Sequence, residues 1–234
     1  EVLEFFFALG LPVGEVWGMS ETTGAATVNP AGRERIGSVG LPVAGVELRL
    51  ADDGELLVRG PIVMPGYRNL PDKTAEALSD EGWLHTGDIA EMTEDGYFRI
   101  VDRKKDMILA AGGFNVYPRD IEERLYEHPK VLEAAAIGLP VGGTSQRPKV
   151  FVVLKEGETS TRREMIDWCK EGLAEYKIPR YVEFREELPK TMVGKILRMQ
   201  LMEDEERKAM EKAQQKSVKI GQKEEAEEDT EADD

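Results

Sequence analysis

The stretch 36–66 has the fewest ways to fold. It is a series of short β-rich runs punctuated by Gly and Pro, among them 46–50 and 56–59, and between those two lies Asp52-Asp53-Gly54. An acidic pair followed by Gly reverses a chain tightly, so the two runs read as the arms of a β-hairpin within a small β-rich subdomain. Upstream, Val2, Leu3, Phe6, Phe7 and Leu9 recur at helical spacing and stop at Gly10, after which 14–18 reads as a short strand entering a turn. Residues 17–21 therefore sit at a strand end.

Downstream, 73–78 looks helical and 82–88 reads as a loop, while Asp95-Gly96 separates two strand-like runs, the second ending at Ile100 and Val101. A domain boundary is expected near Asp102. Past it the pattern predicts a strand over 107–110, a helix whose first turn holds Pro118, strands over 131–137 and 150–154, and a strand over 181–184. A helix over 163–175 places Met165, Ile166, Cys169 and Leu173 on one face. A loop over 189–194 closes this unit, an α+β domain of about a hundred residues. From Glu203 onward apolar residues almost vanish. The remaining segment holds thirteen Asp and Glu against six Lys and Arg, −7 of the chain's total of −15. It is expected to be a frayed helix passing into a disordered acidic end.

The charge excludes some partners. At −15 the chain has no electrostatic reason to hold nucleic acid or an anionic membrane surface, so small molecules and proteins are the expected partners. The longest apolar run, 5–11, is too short to span a bilayer and no basic leader precedes it, which predicts no transmembrane segment. Cys169 is the single cysteine, so no internal disulfide is possible; it reads as core, and His85 and His128 read as structural. A reducing, cytoplasmic setting is the simplest expectation, and peripheral membrane attachment is compatible with it.

Four blocks stand out by their order: Trp17-Gly18-Met19-Ser20-Glu21, Trp83-Leu84-His85-Thr86-Gly87-Asp88, Asp102-Arg103-Lys104-Lys105-Asp106, and Pro189-Lys190-Thr191 through Gly194-Lys195. Gly112-Gly113-Phe114-Asn115-Val116-Tyr117-Pro118 lies between the last two. Singly, each has a plainer reading: a surface turn with a buried Trp, a turn aspartate, a solvated basic run, a loop lysine, a strand-to-helix turn. In this order they resemble the adenylate-forming (AMP-dependent synthetase and ligase) superfamily, and most closely its long-chain fatty acyl-CoA synthetases, from Glu1 to about Leu201.

The resemblance implies a fold of mixed α/β and α+β class: the C-terminal remainder of the large AMP-binding domain over 1–102, with its β-rich subdomain, then a complete small mobile α+β domain over 103–202 and the acidic tail over 203–234. It implies a two-step reaction in which a carboxylate and ATP give an acyl-adenylate and pyrophosphate, and CoA then displaces AMP. Trp17 would stack on adenine, in a block with Gly18 and Met19, although the family more often has Tyr or Phe there. Ser20 would hydrogen-bond a phosphate, Glu21 would ligate Mg²⁺, Asp88 would take both ribose hydroxyls and Arg103 would bind ribose and phosphate oxygens. Lys105 falls at the hinge about which the small domain rotates. Lys195 would bridge the acyl carboxylate and the α-phosphate as a catalytic cation. Gly112 and Gly113 would line a tunnel for the pantetheine arm of coenzyme A.

The family's Ser/Thr/Gly-rich phosphate loop is absent from 1–234, as is most of the acyl pocket. A fatty acyl-CoA ligase whose N-terminal part lies upstream is therefore expected, the segment alone being inactive. Residues 103–202 are expected to fold alone, and 1–102 to leave Phe5, Phe6 and Phe7 uncovered. Two other readings stay open: a ligase for aryl or short-chain acids, and a nonenzymatic binding or regulatory module derived from such an enzyme.

Overall fold

The computed structural model describes residues 2–211 and 214. The chain divides into two compact units, Glu1–Met107 and Ile108–Asp234. The division falls past Asp102 because Lys104, in the short 3-10 turn Lys104–Asp106, is tied back by ion pairs to Asp53 and Glu55 of the first unit.

The first unit begins with α1 (Val2–Ala8), none of whose side chains is buried; Val2, Phe5, Phe6 and Leu9 all stand exposed. It is followed by β1 (Val16–Met19), β2 (Gly24–Val28) and β3 (Leu41–Pro42), which form a three-stranded sheet. Then β4 (Glu47–Leu50), β5 (Glu55–Arg59), β6 (Leu84–Met92) and β7 (Phe98–Arg103) form an antiparallel meander, with α2 (Pro71–Ala77) inserted before β6. The 52–54 turn closes the β4–β5 hairpin with Arg49 opposite Leu57 and Gly54 at φ 83°. The expected loop over 82–88 is instead largely strand. Leu84, Thr86 and Asp88 alternate inward, and the glycine that suggested a loop, Gly87, sits in a bulge of β6. Trp17 and Leu48 pack into both apolar clusters of the unit, one around Val46, Val58 and Leu84 and the other around Leu56, Ala90 and Phe98.

The second unit starts with the two-residue strands β8 (Ile108–Leu109) and β9 (Asn115–Val116), then α3 (Pro118–Tyr126), β10 (Val131–Gly142), β11 (Ser145–Leu154), α4 (Arg162–Gly172) and β12 (Tyr181–Phe184). A helix over 198–211, α5, follows. β10 and β11 are antiparallel, while β11 and β12 are parallel, which requires a crossover; α4 supplies it. Alternation along β10 then builds two cores. Ala134 and Ala136 face α3 and α4 with Ile121, Leu125, Met165 and Cys169, whereas Ala135 and Ile137 face Phe151, Leu188 and Leu201.

Three further elements differ from the sequence expectations. The strands expected over 131–137 and 150–154 are longer and take up most of the stretch between them, because Gly142 (φ 124°) and Gly143 (φ 57°) compress the reversal and let Pro140 pair with Gln146. α4 ends at Gly172 rather than at 175. Leu173 is already extended, and a side chain at 172 would lie 2.6 Å from Arg124 Nε. Finally, 203–211 is not a frayed tail: it continues α5, which buries Leu201 and holds Asp204, Glu205 and Lys208 in ion pairs with the sheet. The remainder of the predicted acidic tail, apart from 214, lies outside the described residues.

Candidate functional site

In the first unit the geometry converges on Asp88. The β6 bulge swings its carboxylate into the unit, where the side chain is 5% exposed. Trp17 on β1 donates its indole N–H to Asp88 Oδ2 at 2.9 Å, and Arg103, the register partner of Asp88 on β7, sets its Nε 2.7 Å from Oδ1. The guanidinium contact is an ion pair without hydrogen-bond alignment, so Oδ1 is a buried acceptor that lacks a donor. Burial raises the Asp88 pKa above its ordinary value; the Arg103 charge and the Trp17 N–H pull the other way without cancelling it. Arg103 itself is half-exposed.

The 17–21 block wraps β1 into a 3-10 turn, Ser20–Thr22. Gly18 is required there, since a Cβ would lie 1.8 Å from the Gly24 carbonyl oxygen. Thr22 is buried; its hydroxyl accepts from Met19 N–H at 2.9 Å and reaches Gly24 O at 2.7 Å, leaving Ser20 exposed at the turn. Glu21 is held by its carbonyl, which accepts from Met64 N–H at 2.8 Å, and by its side chain, whose Oε1 accepts from the Tyr67 hydroxyl at 2.8 Å. That bond raises the Tyr67 pKa. Trp17, Asp88 and Arg103 are thus brought together, and Glu21 has its own support from Met64 and Tyr67.

Sequence reasoning passed over Glu55. It is almost fully buried at the start of β5 and accepts from Gly87 N–H at 2.9 Å and Lys104 Nζ at 2.9 Å, with His85 Nδ1 at 3.2 Å. Burial opposes its ionisation, but these partners outweigh burial and hold it below the usual carboxylate range. A lone Glu opening an apolar strand carries no pattern that marks it as buried. Lys105, beside Lys104 in the same turn, is exposed.

In the second unit Lys195 lies on a tight reversal. Thr191 N–H donates to Lys195 O at 2.8 Å, Gly194 at φ 82° supplies the left-handed residue, and Lys190 pairs with Ile196. Lys195 is exposed and, among the described residues, has no carboxylate within ion-pair distance. Gly112 (φ 86°) and Gly113 (φ 79°) form the turn between β8 and β9, closed by Ala110 N–H on Phe114 O at 2.8 Å. Phe114 stacks on Tyr176 with ring centroids 4.6 Å apart. Beside that turn a cavity of about 700 Å³ is lined by Ala110, Ala111, Phe114, Arg147, Tyr176 and Arg180 among others; no local sequence pattern marks it because its walls come from three separated segments.

His128 is buried, burial lowers its pKa, and its ring meets Trp168 edge-on, as a structural histidine does. Cys169 is buried, and burial pushes its thiol up to about 11, which leaves it inert as a nucleophile. Among the described residues no helix is long and apolar enough to cross a membrane.

The family model described as AMP-binding enzyme matches residues 1–68, and that described as AMP-binding enzyme C-terminal domain matches 120–195. A long-chain-fatty-acid–CoA ligase of Escherichia coli O157:H7 is 48% identical over 210 residues, which are 85% of this chain and 37% of the ligase. A 2-succinylbenzoate–CoA ligase of Bacillus mycoides is 40% identical over 211 residues, 86% of this chain and 43% of the ligase. Among solved structures, O-succinylbenzoate Coenzyme A Synthetase from Bacillus subtilis in complex with AMP superposes with a TM-score of 0.75 at 33% identity, over 86% of this chain and 43% of that one; the same synthetase is also solved with ATP and magnesium ion. The chain thus spans 37–43% of the length of these relatives. With both domain models matched in order and the fold shared, the chain belongs to the adenylate-forming family of AMP-binding enzymes.

Proposed function

We propose that this chain carries the ribose, hinge and catalytic-lysine elements of an ATP-dependent fatty acyl-CoA ligase, the complete reaction belonging to the whole gene product. The observation that carries the reading is the Trp17–Asp88–Arg103 group. Asp88 Oδ1, buried and short of a donor, fits the ribose hydroxyls of AMP, and the open face of Arg103 fits the adjoining phosphate. Trp17, anchored through its N–H, would offer the ring face to adenine.

The other expected groups also find suitable residues. Glu21 Oε1 takes the Tyr67 hydroxyl, and Oε2 has no protein partner among the described residues. Mg²⁺ is commonly held by one or two carboxylates plus phosphate oxygens, so a single presented carboxylate fits it without an all-protein cage. Bound there, the ion would neutralise phosphate charge. The cavity beside Gly112 and Gly113 pairs two aromatic rings with Arg147 and Arg180, a lining suited to the adenine and phosphates of coenzyme A. Lys195, unpaired on a tight loop, is available to an incoming carboxylate and phosphate, and Lys105 lies in the turn that joins the two units. These residues act by binding, orientation and charge; no protein nucleophile is needed.

A fatty acid is favoured by the higher identity to the long-chain ligase, and an aryl acid is the second reading because the succinylbenzoate ligase is also near. CoA-thioester formation by the whole gene product with palmitate, octanoate, benzoate and 2-succinylbenzoate separates them. Palmitate should be preferred at least about tenfold in kcat/KM, equivalent to about 1.4 kcal/mol. Preference for an aryl acid would replace the fatty acid reading, and no thioester with any acid would leave a nonenzymatic module.

A further inference from the structure

The β5–β6 ladder breaks where Asp88 is presented. Leu57 pairs with His85 and Glu55 with Ile89, so two steps along β5 correspond to four along β6, and the extra residues include Gly87 and Asp88. A bulge of this kind leaves backbone N–H groups without a ladder partner, and inside a protein such a donor must be met by something else. Here Glu55 meets it: Oε1 accepts from Gly87 N–H at 2.9 Å, with Gly87 at φ 70°. Thr86 Oγ1 completes the frame, donating to Leu56 O at 2.6 Å and accepting from Asp88 N–H at 3.1 Å.

The opposite oxygen of Glu55 is held from another segment. Oε2 lies 2.9 Å from Lys104 Nζ, and the same ammonium is 2.6 Å from Asp53 Oδ2, so the lysine after β7 is clamped by two carboxylates of the β4–β5 hairpin. Asp53 in turn accepts the Glu55 N–H at 3.1 Å. A carboxylate this deeply buried is retained in its ionised form only with such partners.

We propose that Glu55 is a positioning residue for nucleotide recognition: by filling the β6 bulge and fixing Gly87 it sets the direction from which Asp88 meets the ribose, and Lys104 locks it in place. The inference rests on the reading of Asp88 as the ribose ligand. It also gives Lys104, next to the expected hinge residue Lys105, a role on the first-unit side of the turn.

The test compares AMP with 2′-deoxy-AMP by calorimetry on the whole gene product and its Asp88→Ala, Glu55→Ala and Lys104→Met variants. The unsubstituted protein should prefer AMP by about tenfold, the value of one charge-assisted hydrogen bond. Asp88→Ala should abolish the preference, while Glu55→Ala and Lys104→Met should cut it at least about threefold and leave 2′-deoxy-AMP affinity nearly unchanged, a pattern that general loosening of the fold does not produce. If Glu55→Ala does not fold, Lys104→Met decides, since the Lys104 side chain is 44% exposed and no part of the buried core. Preference lost in Asp88→Ala but intact in the folded Glu55 or Lys104 variant would overturn the positioning role and spare the ribose reading. No preference in the unsubstituted protein, or preference surviving Asp88→Ala, would overturn both.

Discussion

Trp17 Nε1 and Asp88 Oδ2 are 2.9 Å apart across 71 residues of sequence, and this bond joins the end of β1 to the bulge of β6. It fixes a carboxylate in surroundings that disfavour its charge. Burial raises the Asp88 pKa from its ordinary 3.8, and a group raised in the folded state costs stability as pH climbs past the unfolded value. Asp88→Asn keeps an acceptor for Trp17 and removes that cost. Its melting midpoint should exceed that of the unsubstituted protein at pH 7.5, the gap should narrow towards pH 4, and AMP affinity should fall at least about tenfold. A lower midpoint at pH 7.5 would mean that the Arg103 pair outweighs burial.

Gly18 marks a second constraint at the same place. With Gly24 O only 1.8 Å from where a Cβ would stand, Gly18→Ala must push the β1–β2 backbones apart. Overpacking of this kind costs about 1–3 kcal/mol, so denaturant titration should show a loss in that range, and Trp17 fluorescence should respond to quencher more readily. An unaltered midpoint would show that the strand pair yields freely.

The second unit carries an acid-labile clasp. Burial opposes ionisation of Glu183, but hydrogen bonds from Lys149, Lys208 and Arg185 outweigh it and lower its pKa from 4.5 to about 2. Glu205, bonded to Lys149 and Lys208, is lowered as well, and Asp204 is lowered through Arg185 and Arg207. A depressed carboxylate lends stability above its unfolded pKa, and that stability is lost as pH falls through the folded value. Stability followed by circular dichroism should therefore drop between pH 4.5 and about 2, and Glu183→Gln should flatten part of the drop. Equal slopes for both proteins would remove Glu183 from the clasp.

What the sequence made legible follows local rules. The Asp52-Asp53-Gly54 turn, Pro118 at a helix start and the alternation of β10 each act over a few residues, so the hairpin, α3 and the sheet were readable. The four motif blocks were readable because, taken in order, they resemble a known family. Glu55, Tyr67 and the Arg147–Arg180 cavity were not, because each takes its meaning from partners about 30 or more residues away. The helix from 203 onward was legible but its docking was not, for a related reason: its apolar anchor is Leu201, while Asp204, Glu205 and Lys208 dock by ion pairs that leave no hydrophobic period.

On the function proposed above, Lys195, exposed and without a carboxylate partner among the described residues, is the cation of an adenylate-forming reaction. The most direct measurement is ATP-dependent pyrophosphate release by the whole gene product with palmitate, with and without Lys195→Ala. The account predicts release that falls at least about a hundredfold in the variant while ATP binding is retained, since one preorganised charge is worth about 2.7–4 kcal/mol in a transition state. Release at an undiminished rate from the folded variant would contradict it.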